Sequence, residues 1–502
     1  LPEQGCSTDY NFAHFWDYDY DNVINDDQFI DLNNVYYHHN LASNLYYVNA
    51  KKKLVIIGGG PAGHAAASSA ARKGVEVVLI EREIIGGAAH LLDCVPSKTM
   101  IATGGAMSFT ESLSGMGLEN RDAEIDVAAL TDRVEDIKNQ LSSDVSRLLK
   151  SQGVTIINGS ARLLDVKTVH VDAADGTTQV INADDILIST GTRPRVPNFV
   201  TPDGDRVLTT RDCYPPRVFP ESITVIGSGV TGVEFAHMFA SFGAKVTLVV
   251  SRQQVLPGKD PEVAAVLEDT FLARGVRLFK GARAVGLERT ENGVRVICDD
   301  GRVSETTHAV FAIGSIPNTE GLGLEELGVE MDGGYININR HCQSNIENIY
   351  AAGDVSGKLP LSSVASMQGR KVAEQIVGGP RGPHRHLDYD KAASAIFTEP
   401  EIADVGLAEA EAFASGRKIR VTKVPFSSTA KALINNDSRG FVKIISDPAT
   451  GEVLGGSIVG RHAAELISVI ALAVTANLKV TDIEESLMVH PALAEALAEA
   501  AE

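Results

Sequence analysis

The chain has 502 residues, 44% of them hydrophobic and 22% charged, with a formal net charge of −20. That length predicts more than one domain, and the composition is that of an ordinary globular chain. The negative balance argues against nucleic acid and anionic membrane surfaces as partners.

No run of roughly 18 apolar residues occurs, so no membrane span is expected. No basic stretch leading into an apolar run marks a signal peptide. The five cysteines, Cys6, Cys94, Cys213, Cys298 and Cys342, are odd in number and show neither CxxC nor CxxxxC spacing. That usage fits a reducing, cytoplasmic setting and predicts neither a disulfide framework nor a metal site.

Residues 1–50 differ from the rest of the chain. They are crowded with Tyr, Asn, Asp and His, hold Trp16, and show no persistent helical or strand period. They read as a disordered extension or, alternatively, as a docking or regulatory tail. Leu54-Val55-Ile56-Ile57 then forms a short apolar run, expected as a buried parallel strand. Gly58-Gly59-Gly60-Pro61-Ala62-Gly63 comes next and opens an alanine-rich helix. This is G-x-G-x-x-G between strand and helix, the context a dinucleotide pyrophosphate requires. Gly58 makes the turn, Gly60 lets backbone approach the phosphates, and Gly63 lets helix pack on strand. The second strand, Val75 to Ile80, ends at Glu81, where a carboxylate can accept from ribose hydroxyls.

Beyond it lies Gly86-Gly87-Ala88-Ala89-His90-Leu91-Leu92-Asp93-Cys94-Val95-Pro96-Ser97-Lys98. Pro96 suits the first turn of a helix. Cys94 is then expected at the positive end of the helix dipole, where a thiol ionises more easily. A helical region is expected next, roughly Met100 to Gln152, and then shorter strands. A second nucleotide unit begins at Ile223-Thr224-Val225-Ile226 and continues through Gly227-Ser228-Gly229-Val230-Thr231-Gly232, with Gly227, Gly229 and Gly232 as its glycines. Its second strand, Lys245 to Val250, ends without an acid, and Ser251-Arg252 come after it. A hydroxyl and a guanidinium favour the 2′-phosphate of NADPH, which a carboxylate would repel. The bland reading of Arg252 is an exposed loop residue without a ligand role.

The redox stretch resembles that of the flavoprotein disulfide reductases, the dihydrolipoamide dehydrogenase-like family. There it reads Gly-Gly-Thr-Cys-(four residues)-Cys-Ile/Val-Pro-Ser-Lys. Gly86, Gly87, Cys94, Val95, Pro96, Ser97 and Lys98 match, and Ala89 stands in place of the first cysteine. Further segments resemble the same family. These are Ser189-Thr190-Gly191-Thr192-Arg193-Pro194, Ala312-Ile313-Gly314, Ala352-Gly353-Asp354, Phe397 to Leu407, and Val489-His490-Pro491 with Glu495.

The resemblance implies an α/β fold. Two Rossmann-like domains would bind FAD (residues 51–200 and 335–388) and NAD(P)H (201–334), and a C-terminal α+β domain (389–502) would form a homodimer. It also implies roles. Gly58, Gly60, Gly63, Glu81, Gly87, Lys98, Thr190, Gly191, Gly353 and Asp354 would hold FAD. Gly227, Gly229, Gly232, Ser251, Arg252 and Gly314 would hold NADPH or NADH. The helix after Leu361-Ser362-Ser363 would point its N-terminus at the flavin. Lys98 and Glu234 would form the pair beside the flavin. His490, oriented by Glu495, would reach the partner subunit's redox cysteines, of which only Cys94 is present.

Without the first cysteine the usual disulfide relay is not available. The resemblance points to the bacterial NAD(P)H quinone reductase branch, in which flavin passes electrons directly to a small quinone. Two alternatives belong to other classes. One is a transhydrogenase or a peroxidase cycling Cys94 through sulfenic acid; the other is a non-catalytic dimeric flavoprotein acting as a binding module.

Overall fold

The computed structural model describes residues 52–111, 116–118, 124–378 and 386–502. The N-terminal extension expected from composition lies outside these. Lys53–Ile57, with the apolar run buried throughout, is an inner strand of a seven-stranded sheet. It pairs in parallel with Glu76–Glu81 on one side and Asp185–Ile188 on the other. Ile349–Ala351 adds to the far edge of Asp185–Ile188, also in parallel. Thr155–Asp165 pairs in parallel with Glu76–Glu81 and then leaves as the first strand of an antiparallel meander. A strand from beyond residue 340 therefore completes a sheet begun at residue 53.

The helix Pro61–Arg72 packs against the helix Ser362–Val377. Its composition explains the fit. Ala62, Ala66 and Ala70 are buried, and a Cβ on Gly369 would lie 2.1 Å from the Ala62 carbonyl oxygen. Small residues let the two backbones approach this closely. The helical region expected near Met100–Gln152 is two helices, Val95–Glu111 and Val127–Ser151.

A second, all-parallel sheet has the order Arg277–Lys280, Lys245–Val250, Ser222–Ile226, His308–Phe311, Val207–Thr209. The chain crosses between the two sheets twice. The crossings, Thr192–Pro194 and Ser315–Pro317, pair with each other in antiparallel fashion. Arg193 ties them by donating to the Pro317 carbonyl at 3.1 Å and pairing with Glu320 at 2.7 Å.

The C-terminal part is a five-stranded antiparallel sheet carrying the helices Ala463–Ala476 and Glu495–Ala501. It is fastened to the second sheet's domain through a buried cation. Lys443, on the inner strand Phe441–Ser446, reaches Asp260 at 2.6 Å, Glu262 at 2.5 Å and Glu409 at 3.0 Å. Burial alone would push this ammonium's pKa down, but the three carboxylates outweigh it and hold the group above the usual lysine range. These carboxylates are close enough together to hold a cation, and Lys443 is the cation they hold. No helix among the described residues is long and apolar enough to cross a membrane.

The helix Val230–Ser241 carries a buried imidazole. His237 is 1% exposed, and its Nδ1 lies 3.0 Å from Arg274 Nη1, so the ring is neutral and accepts from the guanidinium. Burial, then the charges of Arg274 and Arg439, lower its pKa from 6.5 to about 3. The unfolded chain therefore binds more protons than the folded one between these values, and stability falls as pH drops from 6.5 towards 3. His237→Asn keeps an acceptor for Arg274 but cannot titrate. In urea titrations between pH 6.5 and 4 it is expected to flatten the stability slope by about 1.4 kcal/mol per pH unit. An unchanged slope would show that His237 titrates normally.

Candidate functional site

Both glycine loops sit where strand turns into helix. Gly58 has φ +105°, and a Cβ on Gly63 would lie 2.0 Å from the Gly58 oxygen. The second loop repeats this: Gly227 has φ +111°, and a Cβ on Gly232 would lie 1.8 Å from the Gly227 oxygen. Each helix begins with no side-chain cap and no acid in its first turn, which leaves amide donors for an anion. Glu81, at its strand end, accepts from the Gly59 amide at 2.6 Å and from the Glu83 amide at 2.8 Å. Ser189, expected as a small-for-small replacement, has a definite task. Its hydroxyl donates to the Gly58 oxygen at 2.8 Å and ties the loop to the next strand.

A cavity of about 1050 Å³ opens from the first loop. Of the expected cofactor residues, Gly58, Gly60, Glu81 and Gly87 line it. Thr190, Gly191, Gly314, Gly353 and Asp354 line it too, as do Cys94, Lys98 and Glu234. Gly63 supports the loop from below. Val230 and Thr231 of the second loop also line the cavity, whereas Gly227, Gly229, Gly232, Ser251, Arg252, His490 and Glu495 are not part of its lining. A Cβ on Gly87 would come within 2.4 Å of the Gly60 Cα, so the redox stretch lies directly on the first loop. Asp354 accepts from the Thr192 hydroxyl at 3.3 Å, and burial pushes its carboxyl up. Leu361 and Ser362, at the uncapped start of the helix Ser362–Val377, also face the cavity. Room, glycine cradle, ribose carboxylate and open helix ends together fit a bound dinucleotide.

The redox stretch departs from expectation in one respect. The helix does not begin at Val95. Ala89–Cys94 forms a π-helical turn that runs straight into Val95–Glu111. The wider turn accommodates Pro96, which has no N–H to give to the preceding turn. Cys94 is thus well inside a continuous helix, beyond the reach of the terminal dipole. Its thiol is not more easily ionised: burial pushes its pKa up, Lys98 opposes this, and Glu234 and Asp93 add to it.

Lys98 and Glu234 meet at 2.6 Å. Glu234 is also held from a second direction, because its other oxygen accepts from the Phe397 amide at 3.0 Å. The Lys98 ammonium lies 5.2 Å from the centre of the Phe397 ring. His490 Nδ1 lies 2.6 Å from Glu495 Oε1, and Glu495 also accepts from the Ala492 amide at 2.9 Å. The imidazole is 73% exposed, projecting from the C-terminal domain.

Several site residues carried no sequence signal. Arg211 forks onto Asp93, with Nε 3.1 Å from each carboxylate oxygen and Nη2 3.0 Å from one. Burial pushes the Asp93 carboxyl up, Arg211 opposes this, and Glu83 adds to it. Tyr214 stacks on Phe235 at 5.6 Å, and both line the cavity. Arg211 and Tyr214 lie just past the strand Val207–Thr209, outside any recognisable motif.

Removing Lys98 leaves the Glu234 carboxylate, 6% exposed, with one partner. Lys98→Met is expected to cost about 3 kcal/mol, read as a lowered urea midpoint. Glu234→Gln keeps the Phe397 contact and leaves the ammonium, 30% exposed, free to hydrate, so it should cost less. Equal costs would mean that Glu234 is not sealed from water.

Residues 52–369 match the pyridine nucleotide-disulphide oxidoreductase family, and residues 392–501 match its dimerisation domain. The NAD(P)H dehydrogenase (quinone) of Mycobacterium tuberculosis is 41% identical over 435 residues, covering 85% of this chain and 88% of its own. The dihydrolipoyl dehydrogenase of Zymomonas mobilis is 33% identical over 430 residues, covering 85% and 92%. Among solved structures, LpdA of Mycobacterium tuberculosis superposes with a TM-score of 0.85 at 40% identity, covering 90% of this chain and 99% of its own. The HOCl-induced flavoprotein disulfide reductase RclA of Escherichia coli gives 0.79 at 25% identity, covering 89% and 99%. With both family domains matched end to end on this fold, the chain belongs to the pyridine nucleotide-disulphide oxidoreductases.

Proposed function

We propose that this flavoprotein oxidoreductase passes hydride from NAD(P)H through FAD directly to a quinone. The observation that carries the reading is Ala89: a methyl group stands where a disulfide relay needs its first sulfur. The family binds FAD and NAD(P)H. FAD, when bound, supplies the two-electron carrier between donor and acceptor. The balance is NAD(P)H plus quinone plus one proton, giving NAD(P)+ and hydroquinone.

The chain's own residues bind and orient. Gly58, Gly60, Gly63 and Gly87 would admit the pyrophosphate, and Glu81 the ribose. Thr190, Gly191, Gly353 and Asp354 would border the rest of FAD. Lys98, held by Glu234, would sit beside the reacting ring as a fixed positive charge. The start of the helix Ser362–Val377 would favour negative charge on the reduced flavin. His490 and Glu495 would serve the dimer contact, and the active form would be a cytoplasmic homodimer. The quinone dehydrogenase name of the Mycobacterium tuberculosis relative supports this acceptor class. A Cys94 peroxidase is disfavoured, because a half-buried thiol with a raised pKa is a poor nucleophile.

The test is steady-state NADPH oxidation with menadione. Cys94→Ser is expected to keep most of the activity, and lipoamide reduction should be absent in both proteins. A loss of several orders of magnitude in Cys94→Ser, with FAD still bound and still reduced by NADPH, would show that the thiol carries electrons.

The donor would be NADPH at least as well as NADH. Val250 is fully buried at the strand end, while Ser251 and Arg252 are exposed. The Arg252 guanidinium makes no hydrogen bond or ion pair with any described residue, so it is available for a 2′-phosphate. Arg252→Ala should weaken NADPH selectively by about 1.5–3 kcal/mol in the ratio of specificity constants, the worth of a charge-assisted hydrogen bond. A strong NADH preference that survives the substitution would refute this assignment.

A further inference from the structure

Two groups of residues in the cavity lining are unlike. The redox turn Ala89–Cys94 contributes no six-membered aromatic ring. Tyr214, Phe235 and Phe397, from separate parts of the chain, contribute three and make an aromatic wall. Tyr214 and Phe235 lie 5.6 Å apart with an interplanar angle of 25°. Phe397 carries the Lys98 ammonium 5.2 Å from its centre, and its amide is fixed by Glu234.

Flat, electron-poor rings stack on such aromatic faces, and a fixed ammonium beside them can meet an oxygen on which negative charge develops. The turn Ala89–Cys94 carries no such ring, and its one carboxylate, Asp93, is occupied by the Arg211 fork. The aromatic wall also belongs to the nicotinamide side, because Glu234 and Phe235 lie on the helix Val230–Ser241 that springs from the second glycine loop.

We infer that the quinone binds on the Tyr214–Phe235–Phe397 wall, in the place the nicotinamide ring vacates, and not at the redox turn where a disulfide substrate would dock. This rests on the quinone reductase reading and specifies its acceptor site. One wall then serves both substrates in turn, and NADP+ must leave before the quinone enters.

Equilibrium dialysis of menadione against the oxidised holoenzyme, with no donor present, tests this without turnover. Saturating NADP+ is expected to raise the apparent Kd for menadione at least tenfold. Phe397→Leu should weaken menadione binding about tenfold with FAD content unchanged, while His90→Ala leaves it as it was. In steady-state kinetics of the wild type, NADP+ should inhibit competitively against menadione. An unchanged Kd in NADP+, or inhibition competitive with NADPH and non-competitive with menadione, would place the acceptor elsewhere and overturn the shared site. If that pattern accompanies normal menadione turnover, the quinone reductase reading survives the failure. If menadione is neither bound nor reduced, both fail.

Discussion

Three parts of the chain meet at one buried carboxylate. Glu234 comes from the second dinucleotide unit, Lys98 from the redox helix of the first, and the Phe397 amide from the C-terminal domain. A carboxylate this far from water is tolerable only with both partners in place. The geometry of the cavity depends on that condition, because moving any of the three parts would unpair the charge. The Lys443 cluster repeats the device with the sign reversed, a buried ammonium among carboxylates from two domains. Neither arrangement need add much net stability. Each penalises misplacement, which is what an active site between domains requires.

Around the Glu234 junction the redox turn has been rebuilt. The Asp93–Arg211 fork adds a second bridge from the redox helix to the second dinucleotide unit. Its carboxylate is also one of the charges that oppose ionisation of Cys94. A turn that would ordinarily present two sulfurs therefore presents a methyl group and a thiol held in its protonated state. The surrounding architecture is unaltered: the glycine loops, the open helix ends and the cavity remain. Under the function proposed above, the chemistry would shift because Ala89 supplies no sulfur for a relay between flavin and acceptor.

What could be read in advance was local. Gly63 and Gly232 announce their loops because only glycine survives a contact of about 2 Å with a carbonyl oxygen, and that oxygen belongs to Gly58 or Gly227 of the same loop. Lys98 and Glu234 were legible only through the segments that contain them, and their 2.6 Å meeting spans 136 positions. Tyr214, Phe235 and Phe397 were not legible as a wall. Each is an ordinary residue in its own neighbourhood, and the wall exists only where the second dinucleotide unit meets the C-terminal part of the chain. The π-helical turn escaped notice for a related reason. Pro96 reads equally well as a first-turn residue, and the wider turn ahead of it is settled by packing onto the first loop.

The sequence by itself determined the two strand–glycine–helix units, the missing sulfur at Ala89 and the acid-free strand end at Val250. Those arise from backbone sterics and side-chain chemistry at single positions. Only the tertiary structure decided that Cys94 lies within a helix with its thiol protonated, that Asp93 is claimed by Arg211, and that Glu234 is shared by three domains. Burial and pairing set those outcomes. Both are properties of groups distant in the chain, whose electrostatic cost or gain appears only once folding has removed the water between them.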